Sequence, residues 1–238
     1  MGRREEPLKL AVEALSKEGI VAAAVSGDVR DPEACAKVID TAVRTFGKLD
    51  ILVNNAAGNF LSAAEDLSPR AFKTVMEIDT MGVFNMCHAA FPHLKKSGDA
   101  LICNISITFH YRAQWYQIHP SAAKAAIDSM TRNLALEWGE YGIRTVGVAP
   151  GPIGDTAGWT KLSGVDNVED SEDEVAKAIV PVGRLGSKFD IAMAVLFMAT
   201  AAGDYINGHT IVVDGIKWGS LFYFSVFFFF LFQAATGL

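Results

Sequence analysis

Asp50-Ile51-Leu52-Val53-Asn54-Asn55-Ala56-Ala57-Gly58 is the stretch on which the fold turns. A short β-branched run reads as a buried strand, and the small residues that follow let a ligand come close to the backbone where the strand ends. The same rhythm continues in both directions. Upstream, residues 8–17 read as a helix, 20–25 as a strand and Pro32–Phe46 as a helix. Downstream, Ser68 can cap a long helix that opens on Pro69 and runs to about residue 94, and 100–105 is the next strand. A second long helix follows Pro120, with Ala123, Ile127, Met130, Leu134 and Trp138 at helical spacing. Residues 143–149 form a strand ending in Pro150 and Gly151, 190–200 a helix, and 210–213 the last strand. Strands that alternate with helices imply an α/β fold with a parallel sheet.

Bulk properties exclude several classes of function. The chain has 238 residues, enough for one domain with a sizeable core and no sign of a second. A net charge of −6 argues against nucleic acid, which needs a basic stripe to neutralise phosphates. Cys35, Cys87 and Cys103 are odd in number and set in apolar runs, which predicts buried thiols with no disulfide and no zinc. The five histidines show no ligand spacing and read as structural or surface groups, so no metal is expected. Met1 to Pro7 is charged and lacks the apolar core of a secretory signal, which predicts an intracellular protein.

Both ends are unusual. No strand, Gly-rich turn and helix able to hold a pyrophosphate occurs before Asp28. At the other end, residues 221–232 are almost wholly apolar but too short for the ~20 residues that cross a bilayer, so a membrane anchor is not expected. The reading is a domain over 1–215 and a divergent apolar tail over 216–238, with the acidic stretch 166–174 as a flap over a ligand cleft or a solvated surface.

Two residues carry the chemistry. Asp79 falls on the stripe Phe72, Met76, Asp79, Val83, Met86, Ala90, the buried face of its helix. Desolvation there raises a carboxyl pKa towards the range that moves protons near neutrality, and Gly82 is expected to leave room beside it. Lys124 closes Ser121-Ala122-Ala123-Lys124, and one helical turn before it stands Pro120, which cannot donate a proton.

Gly27-Asp28-Val29, Asn54 to Gly58, Lys124 and Pro150-Gly151-Pro152-Ile153-Gly154, in this order, resemble the short-chain dehydrogenase/reductase family over most of residues 1–215. The resemblance implies a Rossmann-like, doubly wound, three-layer parallel sheet, here missing its first two strands. It also implies that Asp28 and Val29 hold the adenine, and that Asn54 and Ala56 line the cofactor. Lys124 would hold the nicotinamide ribose. Pro150, Gly151, Pro152, Ile153, Gly154, Asp155 and Thr156 would hold the carboxamide and phosphates. Arg3 and Arg4 would meet a 2′-phosphate, which favours NADPH over NADH. With two strands absent, the chain is expected to bind NADPH poorly and to fold marginally.

A narrower signature resembles the peroxisomal 2,4-dienoyl-CoA reductases: Asp79 where the wider family has asparagine, Pro120 where it has tyrosine, Ile107 at its serine position, and Asn59-Phe60 after Gly58. Phe109 stands where mitochondrial relatives place a tyrosine, and Ser106 is one residue too far from Lys124 to be the family serine. The chemistry so implied is hydride transfer to C5 of a conjugated thioester and protonation at C2 through a water ordered by Asp79, giving a trans-3-enoyl-CoA. Phe60, Ser68, Pro69 and Arg70 would line the acyl-CoA site, with Arg30 and Lys161 facing the CoA phosphates. A peroxisomal homo-oligomer is implied by resemblance alone, since Thr236-Gly237-Leu238 is no peroxisomal address. Two alternatives stay open: an inactive dimerisation partner built on segments 68–94 and 120–138, or a ketoreductase on another acyl thioester with Tyr111 or Tyr116 as its acid.

Overall fold

The computed structural model describes residues 1–163 and 180–215. The acidic stretch 166–174 and the tail 216–238 lie outside these residues. Among the described residues, four parallel strands form one sheet in the order β1 (Ile51–Asn54), β2 (Ala100–Ile105), β3 (Ile143–Pro150), β4 (Thr210–Val213). Helices α1 (Glu5–Lys17) and α2 (Pro32–Phe46) precede the sheet. Helices α3 (Pro69–Met76) and α4 (Gly82–Ser97) join β1 to β2, and α5 (Ile118–Trp138) joins β2 to β3. Helices α6 (Ala157–Ser163) and α7 (Lys188–Ala199) lie between β3 and β4.

Alternation along β2 sorts the core into two layers. Ala100 and Ile102 face α2, α4 and α5, where Ile39, Val83, Ala90, Leu94 and Ile127 close one cluster. Leu101 and Cys103 face the other way, against Met198, Ile191 and Val195 of α7. The α/β, three-layer expectation therefore holds, with helices on both faces of a Rossmann-like sheet. All three thiols are buried and free, and burial pushes Cys35, Cys87 and Cys103 up to about 11, 12 and 11.

Helix ends follow local chemistry. Asp31 caps α2 by accepting from the Glu33 N–H at 2.9 Å, ahead of Pro32 in the first turn. Ser68 caps α3 through the Ala71 N–H at 3.1 Å, again ahead of a proline. Ser187 and Asp190 cap each other reciprocally at the start of α7.

Four expectations are corrected. Residues 20–25 are not a strand: Val21 is 82% exposed, and the strand-type pairing next to them is an isolated bridge between Gly2 and Ser26. Strand geometry depends on a hydrogen-bonded neighbour, and none lies beside these residues. β1 is buried on one face only. Leu52 enters the core, whereas Ile51 and Val53 are each 44% exposed because α7 packs on β2, β3 and β4. The long helix expected over 69–94 is broken by a π-helical segment, Glu77–Met81, between α3 and α4. Finally, Gly82 makes room for Val29, not for Asp79: a Cβ at Gly82 would lie 2.6 Å from Val29 Cγ2.

Candidate active site

A cavity of about 760 Å³ opens at the carboxyl ends of β1, β2 and β3. That is where an open parallel sheet places its ligands, because the loops leaving adjacent strands diverge there. Asn55, Ala57 and Gly58 form the wall after β1, Ser106 to Phe109 the wall after β2, and Pro150 to Ile153 the wall after β3. Asp79, Lys124 and Thr156 also border it. Gly151 is required by close approach, since a Cβ there would come within 2.7 Å of the Asp214 backbone.

Asp79 and Lys124 meet inside this cavity. The π-helical segment inserts an extra residue into the turn, which re-aims its side chains, and such segments recur at functional sites. Asp79 is 1% exposed and Lys124 6%. The Gly58 N–H donates to Asp79 Oδ1 at 2.7 Å, while Oδ2 carries no hydrogen bond and lies 3.5 Å from Lys124 Nζ. Lys124 Nζ donates to the Ile105 carbonyl at 2.9 Å, which fixes the ammonium at the end of β2. Burial pushes the Asp79 carboxyl above its ordinary range, opposed by the Lys124 charge and the Gly58 N–H. Burial pushes the Lys124 amine down, opposed by the Asp79 carboxylate. The two groups therefore titrate as a pair, each tending towards its neutral form.

No phenol stands one turn before the lysine. Pro120 is buried there and borders the cavity, as do Ile107 and Phe109. The Tyr111 hydroxyl donates to Asp128 Oδ2 at 2.8 Å, away from the cavity. Tyr116 borders the cavity from a left-handed backbone, φ 63°, just ahead of α5.

The remaining residues singled out from the sequence lie around this centre. Asn54 turns inwards: its amide donates to Asn104 Oδ1 at 2.9 Å and to Cys87 Sγ at 3.3 Å, and Asn104 in turn donates to Thr131 Oγ1. This buried chain ties β1 to β2 and α5. Ala56 and Gly154 are beside the cavity lining rather than in it, and Asp155, fully on the surface, accepts from Lys188 Nζ at 2.6 Å. Asp28 and Arg30, assigned from the sequence to different ligands, hold one another through Arg30 Nε and a 2.6 Å contact from its terminal nitrogen. The Arg30 guanidinium brings the Asp28 carboxyl down to about 2, opposed by partial burial. The Gly2 to Ser26 bridge brings Arg3 and Arg4 to this end, and the Arg3 charge also reaches Asp28. Ser68, Pro69 and Arg70 are exposed at the start of α3, with the Ser68 oxygen occupied in capping. Lys161 falls on α6, and its side chain lies outside what the structure describes.

A family model described as Enoyl-(Acyl carrier protein) reductase matches residues 2–215. A peroxisomal 2,4-dienoyl-CoA reductase [(3E)-enoyl-CoA-producing] of Arabidopsis thaliana is 53% identical over 92% of this chain and 74% of its own length. The chain belongs to the short-chain dehydrogenase/reductase family. A zebrafish (Danio rerio) protein of the same name is 48% identical over 82% of this chain, and there the chain spans 63% of the relative's length. The crystal structure of a short-chain dehydrogenase from Bacillus anthracis superposes with a TM-score of 0.78 and 34% identity, covering 91% of this chain and 84% of that one.

A short-chain dehydrogenase/reductase fold implies a nicotinamide cofactor, and the residues at the cavity fit one. Lys124 offers a nitrogen donor for ribose hydroxyls from the end of β2, and Pro150, Gly151, Pro152 and Ile153 wall the cavity beyond β3. The Ser106 and Thr108 hydroxyls also border the cavity, buried and without a hydrogen-bond partner; Ser106 was set aside on its spacing and Thr108 was not singled out. His119, read as structural or surface, takes a structural position. It is fully buried, stacks on Phe60 at 4.2 Å between ring centroids, and neither ring nitrogen has a hydrogen-bond partner. Burial lowers its pKa, against the pull of the Phe60 backbone and the Asp79 carboxylate.

Proposed function

We propose that the chain carries the chemistry of NADPH-dependent reduction of 2,4-dienoyl-CoA to trans-3-enoyl-CoA, in the peroxisomal degradation of unsaturated fatty acids. The observation that supports this best is a buried Asp79 carboxyl facing Lys124 across 3.5 Å in a cleft where Pro120 replaces the phenol. A ketone reductase must protonate an alkoxide as it forms, which is the work of a phenol. A conjugated thioester needs no such acid at its oxygen.

When bound, the nicotinamide supplies a hydride to C5, and the electrons shift through the double bonds to the thioester oxygen. Lys124 holds the ribose. Asp79 Oδ2, free of hydrogen bonds, orders the water whose proton goes to C2 as the dienolate collapses, leaving the double bond between C3 and C4. A raised Asp79 pKa suits this task, because the carboxyl keeps its proton to higher pH than a free aspartate does. Arg3 and Arg4, drawn to the Asp28 end, support NADPH over NADH. The names of the relatives support residence in the peroxisome, and a second copy of the chain is the proposed partner, packed through α3, α4 and α5.

One observation favours a second reading. Tyr116 borders the same cavity and could serve a ketoreductase acting on another acyl thioester. Following NADPH absorbance with 2,4-decadienoyl-CoA and with a 3-ketoacyl-CoA separates the two. The proposal predicts oxidation that depends on the dienoyl thioester, is slower with NADH, is unaffected by Tyr116→Phe and yields a 3-enoyl product. Oxidation that depends only on the ketoacyl thioester and is abolished by Tyr116→Phe contradicts it.

A further inference from the structure

If the reaction runs through a dienolate, negative charge gathers on the thioester oxygen, and something must hold it. The usual donors are missing: Pro120 has no hydroxyl and Ile107 none either. We infer that the Ser106 and Thr108 hydroxyls are the donors that bind the thioester oxygen as its charge develops. The inference rests on the proposed dienoyl-CoA reductase reading and adds two catalytic residues to it.

The two side chains have the properties that such donors need. Ser106 is 4% exposed and Thr108 1%, both border the cavity, and neither oxygen has a hydrogen-bond partner. Burying a hydroxyl without a partner is unfavourable, so a pair of them on one cavity wall points to an absent acceptor. Thr145 Oγ1 is orphaned too, but it does not border the cavity, and orphaning alone would not single out Ser106 and Thr108.

Their placement is fixed by backbone. The Ser106 N–H donates to the Val148 carbonyl at 2.7 Å, which clamps it to the end of β3. Ile107 is fully extended, φ −159° and ψ 158°, so the residues on either side of it project the same way. Thr108 then opens a 3-10 turn closed by the Tyr111 N–H at 3.2 Å. Lys124 Nζ is bonded to the carbonyl of Ile105, the residue just before Ser106, so the same strand end carries the lysine nitrogen and the Ser106 hydroxyl. Donors that are rigid and dry act most strongly on charge that appears only in the transition state.

The test uses the full chain with 2,4-decadienoyl-CoA and the variants Ser106→Ala, Thr108→Val and Thr108→Ser. Each of the first two should lower kcat on the order of 10²-fold with KM and NADPH affinity nearly unchanged, while Thr108→Ser should recover most of the rate. A second readout is independent of turnover: the infrared stretch of a ¹³C-labelled thioester carbonyl bound in the presence of NADP⁺. It should shift down in the wild type, less in each single variant and not at all in the double variant. Wild-type reduction of the dienoyl thioester with unchanged kcat in both variants overturns the donors and leaves the function standing. An unshifted carbonyl in the wild type also overturns them. A shifted carbonyl without dienoyl-CoA reduction supports the donors and overturns the function, and weaker NADPH binding in the variants would reassign the hydroxyls to the cofactor.

Discussion

Two carboxylate–cation pairs in this molecule, Asp79–Lys124 and Asp28–Arg30, use charge in opposite ways. The Asp28–Arg30 contact is short, 2.6 Å, and partly open to water, and it brings the Asp28 carboxyl down to about 2. The Asp79–Lys124 contact is long, 3.5 Å, and almost wholly buried, and there desolvation outweighs attraction, so the carboxyl goes up and the amine goes down. Separation alone does not rank the pairs. Water screens the first until it resembles any surface bridge, whereas its exclusion from the second leaves both groups poised to give up their charges. The surroundings match. Asp79 and Lys124 sit among strand ends, helices and a buried Asn54–Asn104–Thr131 chain, while the Asp28 and Arg30 side chains stay at the surface on either side of Val29, whose carbonyl accepts from Asn85.

Asp79→Asn should produce the largest effect, lowering kcat about 10²- to 10⁴-fold in the NADPH oxidation assay, whereas Arg30→Ala should change it less than about threefold. Comparable losses in both would erase the distinction. Gly82→Ala should come next. Its new Cβ meets Val29 beside the π-helical segment, so overpacking should cost about 1–3 kcal/mol in urea unfolding. Asn104→Ala leaves the buried Asn54 amide and Thr131 hydroxyl short of a partner and should cost a similar ~1–3 kcal/mol by the same measurement.

Arg30→Ala should have the smallest effect on stability, below about 1 kcal/mol at neutral pH, because the pair is partly solvated. Its sign is set by a folded-state pKa of about 2 against 3.8 for a free aspartate. Stability from this pair is present above pH 3.8 and lost as the pH falls through about 2, so wild type and variant should converge in acid. A difference that persists below pH 2 would show that Arg30 acts through packing instead.

Much of this was legible in the sequence, and the same comparison shows why the rest was not. Pro32–Phe46 was read to the residue, because Asp31, Pro32 and Gly47 state both ends of the helix locally. Asp79 was legible because a carboxylate on an apolar stripe is a local contradiction. Segment 20–25 was misread because its β-branched composition is only half of a strand, the other half being a neighbour that composition does not reveal. The π-helical segment left no mark, since one inserted residue changes the aim of Asp79 without changing the apolar spacing around it. Ser106 was set aside on its spacing to Lys124. Its importance lies in burial without a partner, which only coordinates reveal.

The most direct test of the claim that Asp79, not a phenol, governs protonation is the pH profile of kcat for wild type and Asp79→Asn with 2,4-decadienoyl-CoA and NADPH. A carboxyl whose pKa is raised stays protonated to higher pH, so wild-type kcat should fall as the pH rises through that raised value, and the slow variant should show no such limb. A variant that keeps both the wild-type rate and the same falling limb would contradict the account.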